Sequence, residues 1–164
     1  MNPVHHTYFW GFILLLLVLV ATIPASAQQI QWLSFEDALT DAQKKDKLIF
    51  VDVWAPWCGW CYKMKNETYP NLSNTTKGAF IFTRINRDSN ENRYNYEGNK
   101  YSAVKLAQKF KINSVPGIVI LSAKGEYLLH TLGFLKTKKL EQILQKVRKA
   151  TAQQQKCCVL LHGQ

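Results

Sequence analysis

The sequence predicts an α/β fold, a mixed β-sheet flanked by helices on both faces. Segments with helical apolar spacing alternate with short β-rich apolar runs along most of the chain. Near the end this alternation gives way to a hairpin and a closing helix, which makes the sheet mixed rather than wholly parallel. Neither repeats nor a composition break marks a second domain, so residues 28–150 form one unit.

The chain opens with an apolar run, Gly11–Ile23, broken only by Thr22 and closed by Pro24. Ala25-Ser26-Ala27 then offers the small residues of a signal-peptidase site, so residues 1–27 read as a signal peptide cleaved after Ala27. The run is shorter than the roughly 20 residues of a spanning helix. Its leading segment carries His5 and His6 but neither Lys nor Arg, which leaves an uncleaved membrane anchor as the alternative. Cleavage would leave the domain periplasmic or secreted, and an uncleaved segment would leave it anchored.

Ser34 and Asp37 make a capping-box-like start, and Phe35, Ala38, Leu39 and Ala42 follow at helical spacing up to Lys44-Lys45. Lys47–Ala55, KLIFVDVWA, reads as a buried central strand. A helix follows the cysteine pair until Tyr69-Pro70 stops it. Residues 71–79 read as polar connection and Ala79–Asn86 as a second strand. Arg87–Lys100, rich in Asn, Tyr and charge, reads as an exposed loop. Val104, Ala107 and Phe110, with Leu106, mark a short amphipathic helix over Ser102–Phe110. Val115–Ser122 and Tyr127–Leu132 form the hairpin around Ala123-Lys124-Gly125-Glu126. Leu140, Ile143, Leu144 and Val147 then give a closing helix that ends near Ala150. Residues 151–164 read as a flexible tail. Its Cys157 and Cys158 are either incidental or redox-active, through bonds between chains or electrons passed to the first cysteine pair.

The formal charge of +10 permits attraction to acidic partners or anionic surfaces. The basic residues are scattered rather than gathered with stacking aromatics, and no nucleic-acid motif is present, so a nucleic-acid partner is not expected. Oligomeric state is not legible.

Chemistry concentrates at Trp54–Lys65, WAPWCGWCYKMK. A structural zinc site commonly takes four Cys or His ligands. The other cysteines are the adjacent tail pair, and beyond the leader the histidines are His130 and His162. A purely structural disulfide across so short a loop constrains little of the unfolded chain. The third reading is redox. A strand runs into the Ala55-Pro56-Trp57 turn and Cys58 opens a helix, whose free N–H groups and positive dipole end favour a thiolate. Cys61 lies about one turn on, placed to resolve a mixed disulfide formed at Cys58. Gly59 keeps the turn uncrowded, and Trp57 and Trp60 wall the site. Asp52 interrupts an otherwise apolar strand; a carboxyl buried there has its pKa raised and can accept the Cys61 proton.

These residues resemble the thioredoxin superfamily, from about Trp32 to Val147. FVDVWAPWCGWC resembles its active-site segment, with Asp52 at the buried-acid position and Cys58 and Cys61 at the attacking and resolving positions. Arg84 stands where a Lys is frequent near the acid. Val115-Pro116 resembles the cis-proline element that lies against the cysteines and pairs with substrate backbone, and LGFLKTKKLEQIL the closing glycine turn and helix. IQWLSFEDAL and WCGWCYKM are similar to secreted bacterial thioredoxin-like proteins and to the C-terminal periplasmic domain of the membrane thiol–disulfide interchange reductase. Trp60 replaces a usual proline, and Gly117 a common threonine.

The resemblance implies a thioredoxin-like sheet and a secreted thiol–disulfide oxidoreductase, more reductase than oxidase. Its partners would be cysteine-containing protein substrates and a membrane-borne electron donor, with no cofactor or metal ion. Catalysis falls to Cys58, Cys61 and Asp52, and substrate contact to Trp57, Gly59, Trp60, Val115 and Pro116. Two alternatives stay open: a copper(I)-delivery protein using the cysteine pair, with Met64 one turn on, and a binding module without turnover.

Overall fold

The computed structural model describes residues 29–162. The expected leader lies outside them. Among the described residues no helix is long and apolar enough to cross a membrane.

A two-residue strand β1 (Trp32–Leu33) leads into α1 (Phe35–Lys45). The Ser34 hydroxyl caps α1 by accepting from the Asp37 N–H at 3.1 Å, and the chain leaves the helix through Asp46 at φ 49°. β2 (Leu48–Trp54) is the central strand. After the cysteine turn come α2 (Gly59–Lys63), whose helical path continues through Thr68, and α3 (Asn74–Ala79). β3 (Phe80–Asn86), β4 (Arg93–Tyr96), β5 (Asn99–Ser102) and α4 (Ala103–Lys109) follow. β6 (Gly117–Leu121), β7 (Tyr127–Leu132) and α5 (Thr137–His162) complete the fold.

The main sheet has the order β1-β3-β2-β6-β7. β1, β3 and β2 run parallel, while β6 is antiparallel to β2 and β7. The predicted mixed sheet is therefore present. β2 is paired on both sides, so its two faces need separate cores. Ile49, Val51 and Val53 pack with Phe35, Ala38 and Ala42 of α1 and with Leu106, Ala107 and Phe110 around α4. Phe50 packs on the opposite side with Met64, Tyr69, Leu140, Leu144 and Val147. Period-two alternation puts Asp52 and Trp54 on the Phe50 face, beneath the helix that starts at the cysteines. Each large apolar side chain buried in these cores contributes about 1.5–3 kcal/mol.

Four details correct the sequence expectations. The segment read as an exposed loop contains the β4–β5 hairpin, closed by Glu97 and Gly98 at φ 50° and 73°. Tyr94 and Tyr96 alternate inward, and their rings stand 5.8 and 5.9 Å from Phe35. The high Asn content hid a period-two pattern. The polar connection contains α3, capped by Ser73 and tied to α5 because Glu141 accepts from the Ser73 N–H and the Thr76 hydroxyl. Val104 is exposed, and Ala103 takes the inward position beside Leu106 and Ala107. Finally, α5 continues past Ala150 to His162, because good helix formers and no Gly or Pro fill that stretch.

Candidate active site

The turn after β2 is set by the Cys58 N–H donating to the Ala55 carbonyl at 3.1 Å. Cys58 keeps an extended backbone, φ −82° and ψ 93°, and caps α2 through its sulfur, which accepts from the Cys61 N–H at 3.1 Å. The two cysteines are joined as a disulfide, with Cα atoms 5.2 Å apart. Cys58 is 4% exposed and Cys61 1%, so Cys58 is nearer the surface of the two. They pack with Ala55, Trp54 and Val115. A Cβ at Gly59 would meet nothing within 4 Å, so the turn is open there and does not itself require glycine.

The Val115–Pro116 peptide bond is cis. The register Val53↔Gly117 sets Pro116 level with the end of β2, and the Gly133 N–H donates to the Pro116 carbonyl at 2.8 Å. A Cβ at Gly117 would lie 2.7 Å from the Ile112 side chain, so Ile112 fills the space a threonine would need.

Trp57, just before Cys58, and Trp60, between the two cysteines, are 67% and 58% exposed. Trp57 is anchored, its indole N–H donating to Asp88 at 2.6 Å, while Arg87 bonds the other Asp88 oxygen at 2.8 Å. These two partners, Arg87 first, hold the Asp88 pKa below the usual carboxylate range. Trp60 stacks on Phe134 with ring centres 5.1 Å apart, and the Lys63 ammonium lies over both rings.

Beneath this surface, Asp52 is 1% exposed. Its register partner Arg84 donates from Nε to one carboxylate oxygen at 2.8 Å, and the Tyr69 hydroxyl donates to the other at 2.8 Å. Arg84 is itself stacked, 5.2 Å from the Trp32 ring and 4.7 Å from Trp54. Burial raises the Asp52 pKa, against the lowering effect of both partners. Of the residues expected at the site, Val115 packs with the two cysteines, while Asp52 lies two positions before Trp54 in β2 and is bonded to Arg84 and Tyr69. Tyr69 had not been expected among them. Met64 is wholly buried, in the core cluster that holds Phe50 and Tyr69.

A thioredoxin-like sheet with a C-x-x-C disulfide at a helix start defines the class. The sequence comparison agrees: residues 35–148 match the thioredoxin-like domain family, and the chain belongs to it. It is similar to chloroplastic thioredoxin M4 of Arabidopsis thaliana, 28% identical over 122 residues, 74% of this chain and 55% of that one. It is also similar to the disulfide bond reductase DsbH of Chlamydia pneumoniae, 24% identical over 114 residues, 69% of this chain and 68% of the relative. A solved DsbH oxidoreductase structure shares the fold, with a TM-score of 0.58 at 21% identity over 74% of this chain and 87% of that chain. The chain thus spans about half to two thirds of the length of these two relatives.

Proposed function

We propose that this protein is a thiol–disulfide oxidoreductase that reduces disulfides in protein substrates after delivery across a membrane. The observation that carries the reading is the Cys58–Cys61 disulfide at the start of α2, with the carboxyl of Asp52 buried in the strand that leads into it. In the reduced protein the Cys58 sulfur, which accepts the Cys61 N–H, is favoured as the thiolate. It attacks one sulfur of a substrate disulfide, forming a mixed disulfide and releasing the other sulfur as thiolate. Cys61 then loses its proton to Asp52, and its sulfur attacks Cys58. The Cys58–Cys61 bond forms, the mixed disulfide breaks, and the second substrate thiolate leaves and is protonated. The substrate has gained two electrons and the protein has lost two.

Trp57, Trp60 and Val115-Pro116 offer the apolar and backbone surface for the substrate segment, with Gly59 leaving the approach open. The reducing direction is supported by the buried acid and by the relative that carries the name of a disulfide bond reductase. Turnover requires a dithiol donor, and beyond a membrane that donor would be membrane-borne. Delivery rests on the apolar run Gly11–Ile23 and the Ala25-Ser26-Ala27 site.

The test is reduction of insulin disulfides with dithiothreitol as electron source, beside the measured potential of the Cys58–Cys61 couple. Wild type should accelerate reduction and Cys58→Ser should not. A wild-type rate equal to that of dithiothreitol alone would leave a binding module instead.

A further inference from the structure

The buried carboxyl of Asp52 is held by two side chains that the C-x-x-C motif does not contain. Tyr69 reaches it through a local departure from the α-helix. The Tyr69 N–H donates to the Met64 carbonyl five residues back, at 3.0 Å, so this turn is one residue wider than an α-helical turn. At about 100° per residue, position 69 of an unbroken helix would be turned well away from the direction Cys61 faces. The widened turn absorbs one residue and brings Tyr69 round to the sheet. It is 2% exposed there, its ring 5.6 Å from both Phe50 and Trp32. Its hydroxyl meets Asp52, and the opposite oxygen takes Arg84, fixed between Trp32 and Trp54.

We infer that Tyr69, acting beside the basic residue the family places near this acid, is a positioning residue that sets the pH at which Asp52 takes the Cys61 proton. The inference rests on the reading of Asp52 as that acceptor. Both bonds favour the ionised carboxylate, since the hydroxyl and the guanidinium donate to it. They oppose burial, which favours the neutral acid. The groups facing Asp52 are few. β3 presents Arg84, the end of the α2 segment presents Tyr69, and β6 presents the apolar register partner Ile118. Removing either donor leaves burial less opposed. Asp52 then stays protonated to a higher pH, and Cys61 lacks its base at neutral pH.

The experiment mixes the reduced full-length protein with dithiobis(nitrobenzoate) and follows release of the coloured thiolate across a pH series. The first equivalent reports attack by Cys58 and the second reports resolution by Cys61. Wild type should show resolution rising with pH through a midpoint that belongs to the Asp52–Cys61 pair. Tyr69→Phe should move that midpoint up by about one unit, the effect of one lost bond to a charged group. Arg84→Gln should move it at least as far, and Arg84→Lys should return it most of the way. A purely structural role would change stability and leave the midpoint in place. Tyr69→Phe keeps the ring that packs on Trp32 and Phe50, so the test survives even if the Arg84 variants do not fold. Asp52→Asn separates two failures. If it flattens the profile while Tyr69→Phe coincides with wild type, the inference falls and the role of Asp52 stands. If Asp52→Asn keeps the wild-type midpoint, both fall.

Discussion

Asp52 and Asp88 each take an arginine Nε at 2.8 Å on one oxygen and an aromatic donor on the other, the Tyr69 hydroxyl at 2.8 Å and the Trp57 indole at 2.6 Å. Both arginines come from the same stretch, the end of β3 and the turn after it. Their pKa values nevertheless move in opposite directions, up for Asp52 and down for Asp88. The bonds are matched, so they do not decide the outcome. Water does: Asp52 is 1% exposed, whereas the Asp88 side chain keeps 34%. One arrangement buries a carboxyl inside the sheet and the other anchors an exposed aromatic ring.

The sharpest way to break this comparison is to neutralise the buried member. Asp52→Asn should slow resolution of the mixed disulfide about 10²-fold near neutral pH, the usual scale for loss of a general base. Stopped-flow release of the second thiolate measures it, and wild-type resolution in this variant would remove Asp52 from the mechanism.

Next in size is the thiol that Asp52 does not serve. In the reduced protein Cys58 should titrate below the ordinary cysteine value of about 8.5, with about tenfold more thiolate for each unit of lowering. Alkylation by iodoacetamide against pH, followed by peptide mapping, reports both cysteines. Faster modification of Cys61 would reverse the assigned roles.

A third effect lies in stability. The folded pKa of Asp52 is raised, so its favourable contribution is complete below the unfolded value of about 3.9 and is lost as pH rises through the folded value. Asp52→Asn should lack that decline and exceed wild type in urea midpoint at neutral pH. A variant less stable than wild type there would mean that the Arg84 pair outweighs burial.

The smallest effect belongs to the exposed acid. Asp88→Asn should change stability by no more than about 1 kcal/mol, as surface pairs do. It should leave reduction of a small aromatic disulfide near the wild-type rate while weakening insulin reduction a few-fold, because Trp57 loses its anchor. Equal losses with both substrates would mean that Asp88 acts on the cysteines themselves.

Of the two carboxylates, sequence reading found one. Asp52 stood out because a charge inside LIFVDVW contradicts a buried strand, and that contradiction is a local signal. Asp88 follows Arg87 in a polar run where acids are ordinary, so nothing in the sequence marks its bond to Trp57 across 31 positions. The sheet and the cysteine pair were legible for the same reason as Asp52, since pattern and motif are short-range, whereas the cis bond at Pro116 was implied only by the family resemblance. Tyr69 was not, because its inward position depends on a widened helical turn that no residue from Met64 to Thr68 announces. The Tyr94 and Tyr96 alternation was present in YNYEGNKY but was outweighed by its polar neighbours.

The double pairing of β2 has a further consequence for how the protein opens. Asp52 is flanked by Arg84 on one side and Ile118 on the other, at the centre of the sheet. Amides in such a strand exchange with solvent only when the whole domain unfolds, whereas the ends of surface helices open locally. The acid therefore sits in the slowest-exchanging part of the molecule and the cysteines at the edge of a faster one. Any breathing that admits a substrate sulfur to Cys58 must come from the helix start and the turn before it, over a floor that stays shut.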